Sequence, residues 1–367
     1  MLTYVYYPLL LLLLFWGAKV YKAGEWNEEV LSFDHTKAFL GFCAILIMFH
    51  HISQQTCAPW LSPIWIRHGF DPFVFVGHLC VAVFFFCSGY GMYTGSKKKE
   101  DFFRHYFTKR ILPILIPAFV MWMIFYSIEK SQGMKIPAPV WVNAYQYIWY
   151  IPAILYLYGA FYLSFRRIKK EWLSFLLLLI ATIVYAVLCP IFGAGTWWYN
   201  THHLFIIGAL VAKHKEAVLR FFKKGYLFWT VLFFLITAVF FWASNYYEQL
   251  IGLMHRPYNE MEHYFVELTG QSISSISVVF FLLLIGMKIR IGNRVLSFLG
   301  TFTLELYLVH PLFVQIFDHR FVFDGGKPLY YIKNPALYAL AVILPAIPLA
   351  FFLHAAVRKN IGRKFRK

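Results

Sequence analysis

The sequence predicts an all-α, polytopic membrane protein with about eleven transmembrane helices. The 367 residues are 60% hydrophobic and only 14% charged, with a mean hydropathy of +0.60. This composition is too apolar for a water-soluble surface of this size. Apolar segments long enough to cross roughly 30 Å of hydrocarbon recur along the chain, and basic residues concentrate in alternate connections between them.

Eleven apolar segments account for most of the chain. We place them at residues 1–18, 36–52, 72–94, 111–127, 147–165, 172–192, 197–213, 225–244, 269–287, 297–318 and 335–357. The first lacks a basic n-region and a small-residue cleavage site, which predicts a retained spanning helix rather than a signal peptide.

The distribution of Lys and Arg predicts the orientation. Of the 34 basic residues, 27 fall in the alternate set of segments that begins after the first span and ends with the C-terminal tail. Cytoplasmic loops carry such an excess, so we predict a membrane protein with its N-terminus outside and its C-terminus in the cytoplasm. The net charge of +17 then indicates contact with anionic membrane lipids rather than nucleic acid.

The five cysteines indicate neither a disulfide framework nor a metal site. They are odd in number and scattered, and no pair has a C-x-x-C spacing. The paired histidines at 50/51 and 202/203 lack the acidic or thiolate neighbours usual for zinc. We therefore predict no bound metal or cofactor.

Two adjacent histidines end the second span in "ILIMFHHISQQ". Fourteen residues of helix complete almost four turns, so Lys37 and His51 share a face about 21 Å apart. One interpretation is that Lys37 and His51 line the same polar passage through the membrane, as a cation and a titratable base. The other is that Lys37 snorkels to headgroups and His50 and His51 lie in the interface.

Other polar residues interrupt the apolar spans. Ser88 and Gly89 permit close approach of a ligand or of a neighbouring helix, and a basic loop follows them. Glu305 and His310 occur near the middle of the tenth span, where a carboxylate must be neutral or paired. These residues predict either a polar cavity or hydrogen bonds between helices.

Several polar and aromatic motifs follow one another along the chain. They are Asp34 and Lys37 followed by His50 and His51, then "FFFCSGY", "KRILPILIP", "IWYIPAILYLY", "WWYNTHHLFIIGAL" and "LELYLVHPLF". In this order they resemble the bacterial membrane acyltransferase family 3, the O-acetylases of cell-surface carbohydrates, which implies a location in the bacterial plasma membrane. Two positions depart from the family pattern: Leu40 stands where a basic residue often precedes the histidine, and Pro113 stands where a second Arg follows Arg110. The similarity covers about residues 32–357. It implies an additional N-terminal helix and linker at 1–30, and an acyltransferase domain with a basic tail at 31–367.

The resemblance implies transfer of an acyl group, acetyl above all, from acyl-CoA to a hydroxyl of a carbohydrate or other glycoside. We expect catalytic roles for His51, His50, Glu305 and His310. We expect donor contacts from Lys37, Ser88, Gly89, Tyr90, Lys109 and Arg110. We expect acceptor-side contacts from Trp149, Tyr150, Trp198, Tyr199, Asn200, His202 and His203. Acetyl-CoA is expected as a co-substrate, with membrane lipids as the other partner.

Two other classes fit the many spans and buried polar residues. One is a transporter or flippase of a sugar or lipid-linked precursor. The other is a sensor or scaffold without activity. A transporter should neither bind CoA nor release its thiol, and a scaffold should tolerate replacement of the histidines.

Overall fold

Most of the chain that the structure describes is helical. The computed structural model describes residues 2–138, 140, 145–321 and 327–364. The last three residues of the predicted basic tail lie outside these ranges. The α-helices, in chain order, are α1 Tyr6–Phe15, α2 Phe33–Gln54, α3 Gly77–Lys98, α4 Leu112–Ser131, α5 Tyr150–Arg166, α6 Glu171–Ile191, α7 Leu204–Lys213, α8 Lys215–Lys223, α9 Tyr226–Asn245, α10 Tyr247–Leu253, α11 Glu260–Lys288, α12 Arg294–Leu299, α13 Thr303–Ile316 and α14 Pro335–Lys364.

The described helices confirm the all-α membrane fold. Eight of them are long and apolar enough to span a membrane, and the apolar helices Leu2–Phe15, Leu204–Lys213 and Thr303–Ile316 are shorter. Together they correspond to the eleven predicted segments. Strand β1, Lys19–Val20, pairs antiparallel with β2, Ile289–Arg290, and this two-stranded sheet joins the linker after α1 to the end of α11.

Helix α2 lies at the centre of the bundle. Two thirds of its apolar window is buried inside the protein, against only 6% for α9. Helix α2 contacts α3, α12, α13 and α14, whereas the apolar surface of α9 faces outward, as expected for a helix in lipid. The predicted histidine helix is therefore the interior element around which the others are arranged.

Small residues set the closest helix contacts. A Cβ at Gly89 of α3 would overlap the carbonyl oxygen of Phe205, and one at Gly208 of α7 would overlap that of Phe86. These two glycines let α3 and α7 pack backbone to backbone. Gly41 and Gly300 do the same for α2 and the end of α12, where the facing groups are the carbonyls of Leu296 and Lys37.

The bundle has two chemically different ends. Lys98, Lys99 and Lys215 lie at one of them, which we call the basic end. Helices α2 and α13 both run from the basic end to the other, called here the opposite end. His51 lies in the last turn of α2, close to the opposite end.

Candidate active site

A pair of buried histidines lies where α2 and α13 meet. Nδ1 of His51 is 2.7 Å from Nε2 of His310, and the two rings stack with centroids 4.9 Å apart. His51 is 8% exposed and His310 fully buried. The structure thus brings together two of the predicted catalytic residues, which are far apart in the sequence.

Hydrogen bonding fixes which nitrogen of His51 carries a proton. Nδ1 of His310 lies 2.7 Å from the carbonyl oxygen of Leu306. A carbonyl only accepts, so this nitrogen donates, and Nε2 of a neutral His310 is left as an acceptor. His51 must then donate through Nδ1, which leaves a lone pair on its Nε2. This is the form of imidazole that can take a proton.

His50 has a different hydrogen-bond partner, although its ring lies 5.1 Å from that of His51. Its Nδ1 donates to the carbonyl oxygen of Phe73 at 3.1 Å. Its ring lies directly against Gly77, where a Cβ would overlap it. His50 therefore joins the end of α2 to the start of α3, and His51 is the one of the two that has the geometry of a base.

Tyrosines enclose the histidine pair. The ring of Tyr147 packs against that of His51 with centroids 4.7 Å apart. The Tyr307 hydroxyl donates to the carbonyl oxygen of Tyr147, and the Tyr150 ring meets that of Tyr307 edge to face at 5.5 Å. These aromatic side chains form a layer beside His51.

A cavity of about 890 Å³ extends from the basic end toward this layer. Lys98, Lys99 and Lys215 line its mouth, and Tyr150 and Tyr307 line its inner part. Ile47 of α2 also lines it, one helical turn or ~6 Å before His51. A ligand entering from the basic end can thus come within about one turn of the base.

The cavity is positively charged. Its lining includes five basic residues, namely Lys37, Lys98, Lys99, Arg110 and Lys215. Its two acidic residues are paired elsewhere: Glu28 with Lys223 at 2.7 Å and Glu29 with Arg290 at 3.6 Å. The cavity therefore suits a polyanion such as a chain of phosphates.

Three neighbouring hydroxyl groups, here called the hydroxyl girdle, line the cavity deeper in the bundle. The Ser88 hydroxyl lies beside those of Tyr150 and Tyr158, and all three residues line the cavity. Because each hydroxyl can donate and accept, this girdle can contact the polar parts of an elongated ligand.

The predicted donor residues divide into two groups. Lys37, Ser88, Tyr90 and Arg110 line the cavity, and Arg110 lies in a π-helical turn, Phe107–Ile111, with its guanidinium over the Phe102 ring. Gly89 instead packs against α7. Lys109 is exposed and lies 3.8 Å from Asp101.

Glu305 is buried and paired, and its partner is His354 rather than His51 or His310. Its carboxylate accepts from Nδ1 of His354 on α14 at 2.8 Å. It therefore joins α13 to α14 in the half of the bundle nearer the basic end.

The predicted acceptor-side residues lie on a second polar cluster. The rings of Trp149 and Trp198 are 6.4 Å apart, and the Asn200 amide donates to Gln271 at 2.6 Å. The ring nitrogens of His202 face the carbonyl oxygens of Tyr199 and Thr182. His203 lies next in the chain, with its ring edge-on to that of His202. Tyr150 differs from the rest because it lines the cavity.

Some residues of the site are absent from the sequence prediction. Tyr147, Tyr158, Thr303 and Lys215 are the main ones. A Tyr in a tyrosine-rich span carries no distinguishing signal, because its orientation depends on packing. Lys215 belongs to a basic segment whose charge alone indicated only the membrane side. Among the described residues, no group of three or more His, Cys, Asp or Glu side chains is arranged to hold a metal ion.

Comparison with known families agrees with this architecture. The family model described as an acyltransferase domain matches residues 38–355. The chain therefore belongs to the acyltransferase family 3 and is a membrane acyltransferase. No curated protein and no solved structure matches it.

Proposed function

We propose that the protein transfers an acyl group, acetyl above all, from acyl-CoA at the basic end to a carbohydrate hydroxyl at the opposite end. One observation carries this proposal. The positively charged cavity ends one helical turn from His51, whose ring has its basic nitrogen left free by the bond to His310.

The charge of the cavity supports CoA as the donor. CoA has phosphates at one end and its thiol at the end of a long flexible arm. Lys98, Lys99, Lys215 and Arg110 would neutralise the phosphates near the mouth. The arm would then pass the hydroxyls of Ser88 and Tyr158 and carry the thioester toward His51.

His51 acts as the general base in this mechanism. Its Nε2 takes the proton of the acceptor hydroxyl while that oxygen bonds to the thioester carbonyl carbon. The carbon–sulfur bond then breaks, and the departing thiolate takes the proton from His51. The products are an ester and free CoA, and the imidazole returns to its neutral form. His310 stabilises the protonated ring because its Nε2 accepts the hydrogen bond from Nδ1 of His51.

The basic end lies in the cytoplasm in this proposal, because 27 of the 34 Lys and Arg residues fall on that side. Acyl-CoA is then available where the cavity opens. The N-terminus is outside, the C-terminus is cytoplasmic, and the ester forms near the outer surface of a bacterial plasma membrane, with lipids rather than nucleic acid around the protein.

The test is acetyl transfer from labelled acetyl-CoA in membranes that contain single variants. We expect His51→Ala to lower the rate about 10²- to 10⁴-fold, the range for loss of a general base. His50→Ala should lose less, since this ring holds Phe73 rather than the base.

His68→Ala is the matched control, because this histidine side chain is 75% exposed at the opposite end. Full activity in His51→Ala at normal expression would exclude the mechanism. A transporter would show neither thermal stabilisation by CoA nor release of free thiol from acetyl-CoA, so the same preparation decides between the two functions.

A further inference from the structure

Three uncharged polar side chains lie beyond His51 toward the opposite end. Gln55 directly follows the end of α2, four residues after His51, and lies about one turn farther toward the opposite end. Gln315 lies beyond His310 near the end of α13. The Tyr147 hydroxyl, whose ring covers His51, lies beside both glutamine side chains.

Gln315 has an unused acceptor. Its side chain is 5% exposed, and its Oε1 is buried without a hydrogen-bond partner in the part of the chain that the structure describes. An unsatisfied buried carbonyl costs about 1–3 kcal/mol. A hydroxyl of a bound molecule would satisfy it, whereas another acceptor, such as a carboxylate, would not.

The charged residues nearby are mostly paired with one another and with the backbone, although Nε of Arg67 is buried without a partner among the described residues. Arg67 donates to the carbonyl oxygens of Ile332 and Gln55 at 2.8 and 3.2 Å and lies 3.7 Å from Asp318. Asp318 also accepts from Nδ1 of His319 at 2.7 Å. These side chains hold the loops of the opposite end together, and the two glutamines are the uncharged groups beside the Tyr147 hydroxyl, whose ring covers His51.

Aromatic side chains lie next to these loops at the opposite end. The Trp65 ring stacks on that of His319 with centroids 4.4 Å apart, and Tyr331 meets Trp65 edge to face. Trp65 is half-buried and Tyr331 exposed. Flat aromatic faces beside amide groups suit a ring that carries both C–H and O–H groups.

We propose that Gln55, Tyr147 and Gln315 bind the acceptor and that they select a sugar ring with neighbouring hydroxyls. This inference rests on the proposed function and adds the place and chemistry of the acceptor subsite. One sugar hydroxyl donates to Oε1 of Gln315, and the Gln55 amide and the Tyr147 hydroxyl contact the adjacent oxygen. The next hydroxyl is then directed at Nε2 of His51.

This subsite differs from the cluster that the sequence indicates around Asn200. There the amide of Asn200 is bonded to Gln271, and both ring nitrogens of His202 are occupied by backbone carbonyls. Each location has a buried polar atom without a partner among the described residues, Nε2 of His203 there and Oε1 of Gln315 here. The glutamine pair differs because it directly adjoins Tyr147, whose ring covers His51. If the acceptor binds at the glutamine pair, replacing Gln315 lowers acetyl transfer. If it binds at the other cluster, replacing Asn200 lowers it instead.

The experiment compares Gln315→Met and Gln55→Met with wild type in the source organism after deletion of its own copy. Alkali-released acetate is measured separately in the lipid extract and in the insoluble glycan, per amount of protein in the membrane. The two fractions distinguish a lipid-linked sugar from a polymeric one. CoA binding is measured on the purified variants by thermal stabilisation. We expect each variant to lower the acetate about tenfold, the effect of one hydrogen bond to substrate, with an unchanged Kd for CoA.

Gln54→Met is the matched control, since Gln54 is the half-buried residue that directly precedes Gln55, and it should keep the wild-type acetate level. Wild-type acetate in Gln315→Met, or a parallel loss of CoA binding, would overturn the inference. Loss in Asn200→Ala with none in Gln315→Met would also overturn it and would place the acceptor at the other cluster. Absence of any added acetate in wild type would instead refute the proposed function itself.

Discussion

At the scale of single residues, His310 influences the proposed reaction through His51. Its Nε2 accepts a hydrogen bond from Nδ1 of His51, and its own Nδ1 donates a hydrogen bond to the Leu306 carbonyl oxygen. His310→Ala removes this acceptor, so the His51 ring loses its fixed tautomer. We expect kcat/KM for acetyl transfer to fall at least about tenfold, as for loss of a hydrogen bond worth about 1.4 kcal/mol.

His310→Gln is the companion variant, since its side-chain oxygen can accept from Nδ1 of His51. It should recover part of the activity lost in His310→Ala. Equal losses in both variants, with equal CoA binding, would mean that the bond to His51 does not set the tautomer.

Residue types in the sequence indicated the polar positions but not their partners. His51 and His310 were both recognisable as imidazoles in apolar helices, yet they are 259 positions apart, and no local pattern specifies that contact. For Gly89 the sequence left two partners open, because a small residue permits either a ligand or a helix to approach. In the structure the backbone of Phe205 occupies that space.

At the scale of helices, the contact between α3 and α7 depends on Gly89. Gly89→Ala places a Cβ against the Phe205 carbonyl, and the backbone of one helix must move. We expect a loss of about 1–3 kcal/mol of stability, the usual cost of overpacking, measured as a lower Tm in detergent.

Gly159→Ala on α5 is the matched control, because no atom lies within 4 Å of its Cβ position. Alanine favours the helix over glycine by about 1 kcal/mol, so this variant should be as stable as wild type or more so. A Gly89→Ala protein as stable as Gly159→Ala would show that the two helices tolerate separation.

Hydropathy was sufficient to find the helices but not their bounds. The segment predicted at 269–287 is part of α11, which begins earlier, at Glu260. The segment predicted at 297–318 contains two helices, since α12 ends at Leu299 and α13 begins at Thr303. Where a helix begins or ends depends on capping and packing by individual polar residues. The mean hydropathy of an apolar window carries no information about these contacts.

At the scale of the whole molecule, the basic end makes donor binding depend on salt. Lys98→Gln combined with Lys215→Gln removes two cations from the cavity mouth. We expect the Kd for CoA to rise about threefold to tenfold at low salt and to depend less on KCl than in wild type, because fewer charges remain to be screened.

Lys333→Gln is the control for this pair, since Lys333 is exposed at the opposite end. Its Kd and salt dependence should match those of wild type, as measured by titration of CoA into purified protein. Unchanged affinity in the double variant would remove the basic end from the proposed donor site.

The depth of the cavity has an electrical consequence. Solvent that fills it from the basic end brings one bulk aqueous phase to within a helical turn of His51. The transmembrane voltage then falls mainly across the protein between the inner end of the cavity and the opposite end, instead of across the full bilayer. One elementary charge crossing 100 mV changes in energy by about 2.3 kcal/mol, so proton movement at His51 should make turnover in sealed vesicles respond to an imposed potassium diffusion potential.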